Sequence, residues 1–269
     1  MDHALYEYLL LAEQGDLSAQ FTLGVRYQHG IDVDQNYDQA LYWYQKAADR
    51  GHAPSQHNLG SMYHEGTGVL QDYGKAAYWC RLAAEQGNAT AQATMGHIYN
   101  RGLGVQQDYA ESAKWYRLAC EKENPDAGAL NNLSFYYQVG WGVEKDQKES
   151  MRLLRLAVDQ GYLPAIDSLG LHYESGKVVP QDFHEAHRLF CKAASRGYWY
   201  SQYHLGNLYM HGRGVPQDYV LAHMWLNLAA ARDPDGILAS SARDTIAERM
   251  TPDQIAEAQR LAREWEPAN

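Results

Sequence analysis

The sequence predicts an all-α protein of about six 36-residue helix–turn–helix repeats, opened by a half repeat and closed by capping helices. Three observations carry this. A Leu-Gly pair recurs at Leu23-Gly24, Leu59-Gly60, Leu169-Gly170 and Leu205-Gly206, and Met95-Gly96 and Leu133-Ser134 fill the gaps. The successive spacings are 36, 36, 38, 36 and 36 residues, a period of the kind that marks stacked repeats. A Tyr follows each anchor by four, from Tyr27 to Tyr209, and a Gly by seven, from Gly30 to Gly212. Asp or Asn then stands at +13: Asn36, Asp72, Asp108, Asp146, Asp182 and Asp218.

Each unit reads as two helices. The first places small or apolar residues at i, i+3, i+4 and i+7, which is one helical face. Its terminal Gly suits a left-handed C-cap, where a Cβ would clash. The Asp or Asn caps the second helix by accepting backbone N–H bonds. That helix carries Ala and aromatic residues at helical spacing, such as Ala40, Trp43, Tyr44 and Ala47, and ends at Gly51, Gly87, Gly161 or Gly197. Small residues at fixed positions let two helices approach, and Tyr and Trp fill the space beside them. This also explains 21 Tyr against 4 Phe: one position is being repeated. The two extra residues of the 38-residue spacing fall near the turn signal Asn124-Pro125-Asp126.

The ends differ from the interior. Residues 4–15 align 72 positions before Ala76–Gly87, so residues 1–18 read as a lone second helix capping the first repeat. Residues 19–232 hold the six repeats and residues 233–269 the closing helices. There, Asp233-Pro234-Asp235-Gly236 reads as a turn, and a helix over about 237–249 follows. Thr251-Pro252-Asp253-Gln254 is a capping box with Pro at the first helical position. The last helix, about 252–265, aligns Ile255, Ala258, Leu261, Ala262 and Trp265 on one stripe. Such caps are expected because a stack of repeats exposes core at both ends.

Composition excludes several classes. Net charge is −10 with no run of Lys or Arg, which argues against a nucleic-acid or anionic-membrane surface. No 18-residue apolar run occurs, so no membrane-spanning helix is expected. The N-terminus lacks a basic start, so it does not read as a signal peptide, and a cytoplasmic place is expected. A mature exported form would look the same. Cys80, Cys120 and Cys191 are odd in number and lack any Cys-x-x-Cys. All three are expected to be buried small apolar residues.

The pattern Ala-x-x-x-Leu-Gly-x-x-Tyr-x-x-Gly-x-Gly-Val-x-x-Asp-Tyr-x-x-Ala-x-x-Trp-Tyr-x-x-Ala-Ala-x-x-Gly resembles the Sel-one-like repeat family. Residues 55–87 and 91–120 match best, and the resemblance covers about 19–230. It implies a right-handed α/α superhelix, a solenoid related to tetratricopeptide repeats, whose first helices line the concave surface. It also implies a bacterial protein-binding adaptor or scaffold, or alternatively an immunity-type inhibitor of a secreted toxin. Departures exist. Asp32 and Val178 replace the second loop Gly in units one and five, and because Val resists positive φ the fifth loop should bend differently. Ser134 replaces the helix Gly of unit four, and Leu153 and Leu189 replace Trp.

No catalytic motif appears: there is no Gly-x-Ser-x-Gly, no P-loop and no dinucleotide fingerprint. A hydrolase using the groove is the weakest reading, because no nucleophile–base pair is apparent. The Gly-x-Gly pairs recur once per repeat and read as turn residues. His184-Glu185-Ala186-His187 spaces its imidazoles at i, i+3 rather than i, i+4 and lacks a third ligand, so no metal is expected. No cofactor is expected either.

Binding is expected on the first helices, where positions two before, two after and five after Leu vary between units. One column reads Phe21, His57, Ala93, Asn131, Asp167 and Tyr203. The next reads Val25, Ser61, His97, Phe135, Leu171 and Asn207, and the third Gln28, His64, Asn100, Gln138, Glu174 and Met210. Just before Leu lies a polar column, Thr22, Asn58, Thr94, Asn132, Ser168 and His204. Its amides and hydroxyls either hydrogen-bond an extended peptide or satisfy neighbouring helix ends. The groove candidates are Phe21, His57, Asn58, His97, Asn131, Asn132, Phe135, Tyr203 and His204. The aromatic ones act as anchors if exposed. The expected partner of the monomeric chain is another protein or peptide.

Overall fold

The computed structural model describes residues 3–121, 125–233 and 235–268. Asn124 and Pro234, each part of an expected turn, lie outside the described residues. Among the described residues the chain forms fifteen helices and no strand. The half repeat is α1 (His3–Glu13). First helices are α2 (Leu17–His29), α4 (Ala53–Glu65), α6 (Ala89–Arg101), α8 (Ala127–Val139), α10 (Leu163–Ser175) and α12 (Trp199–His211). Second helices are α3 (Tyr37–Ala48), α5 (Tyr73–Glu85), α7 (Tyr109–Cys120), α9 (Gln147–Asp159), α11 (Phe183–Ala194) and α13 (Tyr219–Ala230). The chain closes with α14 (Leu238–Ala247) and α15 (Pro252–Glu264). It divides into two compact units, Met1–Ser150 and Met151–Asn269.

Local chemistry sets the helix limits. All six first helices end on the expected Gly in the left-handed region, from Gly30 (φ 68) to Gly212 (φ 64). The Asp or Asn at +13 accepts amides of the second helix's first turn, as Asp72 does from Lys75 at 2.9 Å. Its own amide donates back to the +4 Tyr carbonyl in every repeat, for example Asp108 to Tyr99 at 3.0 Å. A Gln just before the cap then closes the loop. Gln35, Gln71, Gln107, Gln181 and Gln217 each donate Nε2 to the carbonyl seven residues earlier. In repeat four Lys145 occupies this place.

The Leu-Gly anchor is the helix crossing. A Cβ on Gly24 would lie 2.4 Å from the Tyr44 ring, and one on Gly96 or Gly170 2.5 Å from Tyr116 or Phe190. Cys80 and Leu226 fill the same place opposite Gly60 and Gly206. Ser134 adapts by donating its hydroxyl to the Ser150 carbonyl at 2.8 Å. The second loop Gly does more than turn the chain. Cβ atoms on Gly104 and Gly142 would meet the Tyr73 and Tyr109 carbonyls at 2.3 Å, so each loop backbone touches the preceding second helix. Asp32 holds φ 58 at this position in repeat one, whereas Val178 does not adopt positive φ, and the fifth loop bends differently as expected.

Gln20, Gln56, Gln92 and Gln202, three residues before the anchors, are buried. Each donates Nε2 to an alanine carbonyl at the end of the preceding second helix: Ala12, Ala48, Ala84 or Ala194. This stitch between repeats joins α1 to α2 as well, where Leu5, Ala12, Ala19, Leu23 and Trp43 form one buried cluster. At the other end α14 and α15 pack on α13, and Trp265 meets Trp225 at 6.2 Å, edge on. The Thr251–Gln254 capping box is present.

Of the cysteines only Cys80 is buried; Cys120 and Cys191 are half-buried. This corrects the expectation for those two. The face of α11 that carries Cys191 also carries His187, whose Nε2 lies 3.4 Å from its Sγ. Burial pushes the Cys80 thiol to about 12 and the Cys191 thiol to about 11. Both should therefore resist iodoacetamide at pH 8 in the folded protein, because the thiolate is the reactive form. Peptide mapping checks this, and rapid modification of Cys80 without unfolding would contradict it.

Candidate functional site

The variable columns converge on a cavity in the first unit. Its volume is about 380 Å³. The last turn of α4 contributes Ser61, His64 and Glu65, and α6 contributes Thr90, Ala93, Thr94 and His97. The cap and start of α8 contribute Asp126, Gly128, Ala129 and Asn132, and Tyr116 of α7 closes the wall. The ring centroids of His64 and His97 lie 6.3 Å apart in an edge-to-face pair. Burial first, then His64 and Arg101, hold His97 below the ordinary histidine range, so its imidazole is uncharged at neutral pH.

Among the residues expected to bind, His97 and Asn132 are on this wall. His57 is half-buried beside it, with Nε2 3.3 Å from Thr94 Oγ1, and burial depresses its pKa. Asn131 is half-buried in α8. Asn58 donates Nδ2 to the Tyr44 hydroxyl at 3.0 Å, and that hydroxyl donates to Gln28 Oε1 at 2.8 Å. Phe21 is half-buried against Tyr44 and His52. Phe135 is 44% exposed and meets Trp141 edge on at 5.3 Å. Trp141 in turn stacks on Tyr109 at 4.5 Å.

The polar column is largely committed within the fold. Thr22, Thr94 and Ser168 donate their hydroxyls to the carbonyl four residues earlier, the usual local bond of a mid-helix hydroxyl. The cavity residues Glu65, Thr90 and Asp126 lay outside the columns read from the sequence. Their signal is positional: the first turn of one first helix faces the last turn of the one before it.

In the second unit, His204 of α12 stands beside Asp167 of α10, and the neighbouring Tyr203 packs against the cluster of Ala222, Leu226 and Ile246. The buried Asp167 accepts the Ser201 hydroxyl on Oδ1 at 2.6 Å, and its Oδ2 lies 3.8 Å from His204 Nε2. His204 stacks on Phe190 at 5.1 Å. Burial raises Asp167 to about 6, against the opposing Ser201 bond, and lowers His204 to about 4. The imidazole is neutral at pH 7, so the 3.8 Å approach is not an ion pair there. Ser201, Asp167 and His204 bring triad residue types together in the wrong order. The hydroxyl donates to the carboxylate rather than to an imidazole base, and Ser201 is fully buried, whereas a nucleophile must be reached and activated.

His187 of the His184–His187 pair sits 3.2 Å from the Tyr209 hydroxyl, and His184 is exposed. Among the described residues no three His, Cys, Asp or Glu side chains stand together as a metal site. Also among the described residues, no helix is long and apolar enough to cross a membrane.

These features define an α-helical repeat protein of the α-solenoid class, with an open cavity among the first helices of its first unit. The chain belongs to the Sel1 repeat family, whose repeat matches residues 17–52, 53–88, 89–124, 127–162, 164–198 and 199–234. The Sel1 repeat is a non-catalytic fold, and its proteins generally serve as protein-interaction scaffolds. A Sel1 repeat protein of Oxalobacter formigenes is 34% identical over 87% of this chain and 67% of its own, with a TM-score of 0.72. A Sel1 repeat protein of Klebsiella pneumoniae is 24% identical over 77% of this chain and 99% of its own, with a TM-score of 0.52. The immunity protein PA5088 of Pseudomonas aeruginosa shares the fold at 20% identity over 82% of this chain and 84% of its own, with a TM-score of 0.51. A comparison with curated proteins finds no similar sequence.

Proposed function

We propose that this chain is an adaptor that binds a partner protein through the variable face of its first helices, with the cavity of the first unit as the principal docking point. The observation that carries this is the convergence of the unit-to-unit variable positions Ser61, His64, Ala93 and His97 on one open cavity, with Asn132 of the polar column beside them. Positions that build the fold repeat, whereas these do not. A repeat scaffold that displays one non-repeating concave site suits selective recognition. His57 and Asn131 border the same face, and the exposed Phe135–Trp141 pair offers an apolar anchor in the neighbouring repeat. Phe21 and Asn58 belong in this reading to the support of that face, while Tyr203 and His204 pack within the second unit. The alternative, an immunity-type inhibitor of a secreted toxin, is supported by the fold shared with the immunity protein PA5088.

The test is to narrow the cavity and make its wall apolar. Ala93→Leu/Asn132→Leu should leave the melting temperature within a few degrees, because the atoms added at Ala93 enter open space and Leu matches Asn132 in size. The same variant should lose a partner that wild type captures from native lysate, as identified by mass spectrometry. An unchanged set of captured proteins would remove the cavity from the docking surface.

A further inference from the structure

The cavity carries charge that its own wall does not compensate. Of the twelve wall residues, Glu65 and Asp126 are the charged ones, and none is Lys or Arg. Among the described residues the groups they engage are uncharged: Glu65 accepts the Thr67 hydroxyl at 3.3 Å, and Asp126 accepts the Ala129 amide at 2.7 Å. His97 adds no positive charge at neutral pH. Arg101 lies one turn beyond His97 on α6 and is exposed, outside the wall. The surroundings have the same sign. Residues 1–150 hold 19 Asp and Glu against 11 Lys and Arg, which is −8 of the chain's −10. A concave site inside such a field concentrates cations and speeds their encounter.

The size narrows the occupant. About 380 Å³ lies at the lower end of the roughly 300–1,000 Å³ typical of ligand pockets. It admits one long side chain rather than a folded element. We propose, resting on the scaffold reading above, that this cavity seats a single basic side chain, arginine or lysine, of the partner. Its methylene stem lies along Ala93 and Ala129, and its charged end faces Glu65 and Asp126. The imidazoles of His64 and His97 offer flat faces against which a guanidinium stacks. Arginine is the better fit on that account.

The experiment uses the full chain and blocked pentapeptides, acetyl-Ala-Ala-X-Ala-Ala-amide, with X as Arg, Lys, Leu or Glu. Binding is read from the imidazole NMR signals of His64 and His97. The Arg peptide is expected to shift both signals saturably and to bind at least tenfold more tightly than the Leu or Glu peptide. Its affinity should fall with added salt. Glu65→Gln/Asp126→Asn removes both charges while Asn keeps the α8 cap, and this variant should lose at least tenfold for the Arg peptide only. Equal affinity for the Leu peptide, preference for the Glu peptide, or undiminished Arg binding by the variant would overturn the proposal. Silence from all four peptides would overturn it too. If Ala93→Leu/Asn132→Leu still abolished partner capture in that case, docking at the cavity would stand and only its basic occupant would be wrong.

Discussion

Gly104→Ala is expected to destabilise the protein by about 2–5 kcal/mol, more than the single methyl suggests. Two effects add. Gly104 holds φ +68, where an L-residue with a Cβ loses roughly 1–2 kcal/mol. The new Cβ would also lie 2.3 Å from the Tyr73 carbonyl carbon and oxygen and 2.6 Å from the Gly74 nitrogen. Those are backbone atoms, so no rotamer change relieves the overlap, and the loop must retreat from α5. Overpacking of that kind typically adds about 1–3 kcal/mol. Gly51→Ala separates the two effects. Gly51 has φ +85 but nothing within 4 Å of the Cβ position, so only the conformational part remains, about 1–2 kcal/mol. Urea denaturation of the two variants measures the difference. Similar small losses at both sites would show that the loop–helix approach is soft.

Asp167→Asn is expected to stabilise the second unit by about 2–3 kcal/mol at pH 8, and by almost nothing near pH 4. The amide keeps an oxygen for the Ser201 hydroxyl, so the change is close to removing a charge alone. Burial raises the Asp167 pKa in the folded chain from 3.8 to about 6. The folded state therefore keeps a proton that the unfolded chain has already released. That contribution is fully present below pH 4 and is lost as pH climbs through 6. His204 acts in the opposite sense. Its folded pKa, lowered from 6.5 to about 4, makes stability fall as pH drops from 6.5 towards 4. Over pH 4–6 the two nearly cancel in the wild type, and the Asn variant exposes the histidine slope alone. Around Asp167 stand Ser201, His204, Tyr198 and Glu174, the last within 3.7 Å of Arg213. Paired melts at pH 4.5 and 8 test this. The same gain at both values would mean the carboxylate is not the source.

Much of the architecture was legible because one signal was printed six times. The αL glycines, the Asp and Asn caps and the terminal capping box each follow from local stereochemistry, so a single chain suffices to place them. Gly104 and Gly142 were legible as turn residues but not as points of close approach, since their neighbours come from the preceding repeat. The site was harder. His64, Ala93 and His97 stand out by their variability between units, and Asn132 by the polarity of its column. The columns could not tell that Asn58 serves Tyr44, nor that Thr22, Thr94 and Ser168 bond their own helices. Glu65, Thr90 and Asp126 escaped because cavity walls are set by how helix ends face one another, not by spacing along one helix. Ser201, Asp167 and His204 show the converse: residue types that suggest chemistry are joined in an order that turns them inward.

The stitches between elements have a consequence for how the chain folds. Gln20 reaches Ala12 across 8 residues, Ser112 reaches Gly96 across 16, and Arg196 reaches Gly161 across 35. Each of these bonds closes a short loop, so little chain entropy stands between the unfolded chain and its first native contacts. Any helix pair can nucleate and recruit its neighbour. Refolding within either unit is therefore a zipper of low contact order, and whole 36-residue modules can be gained or lost without redesigning a core.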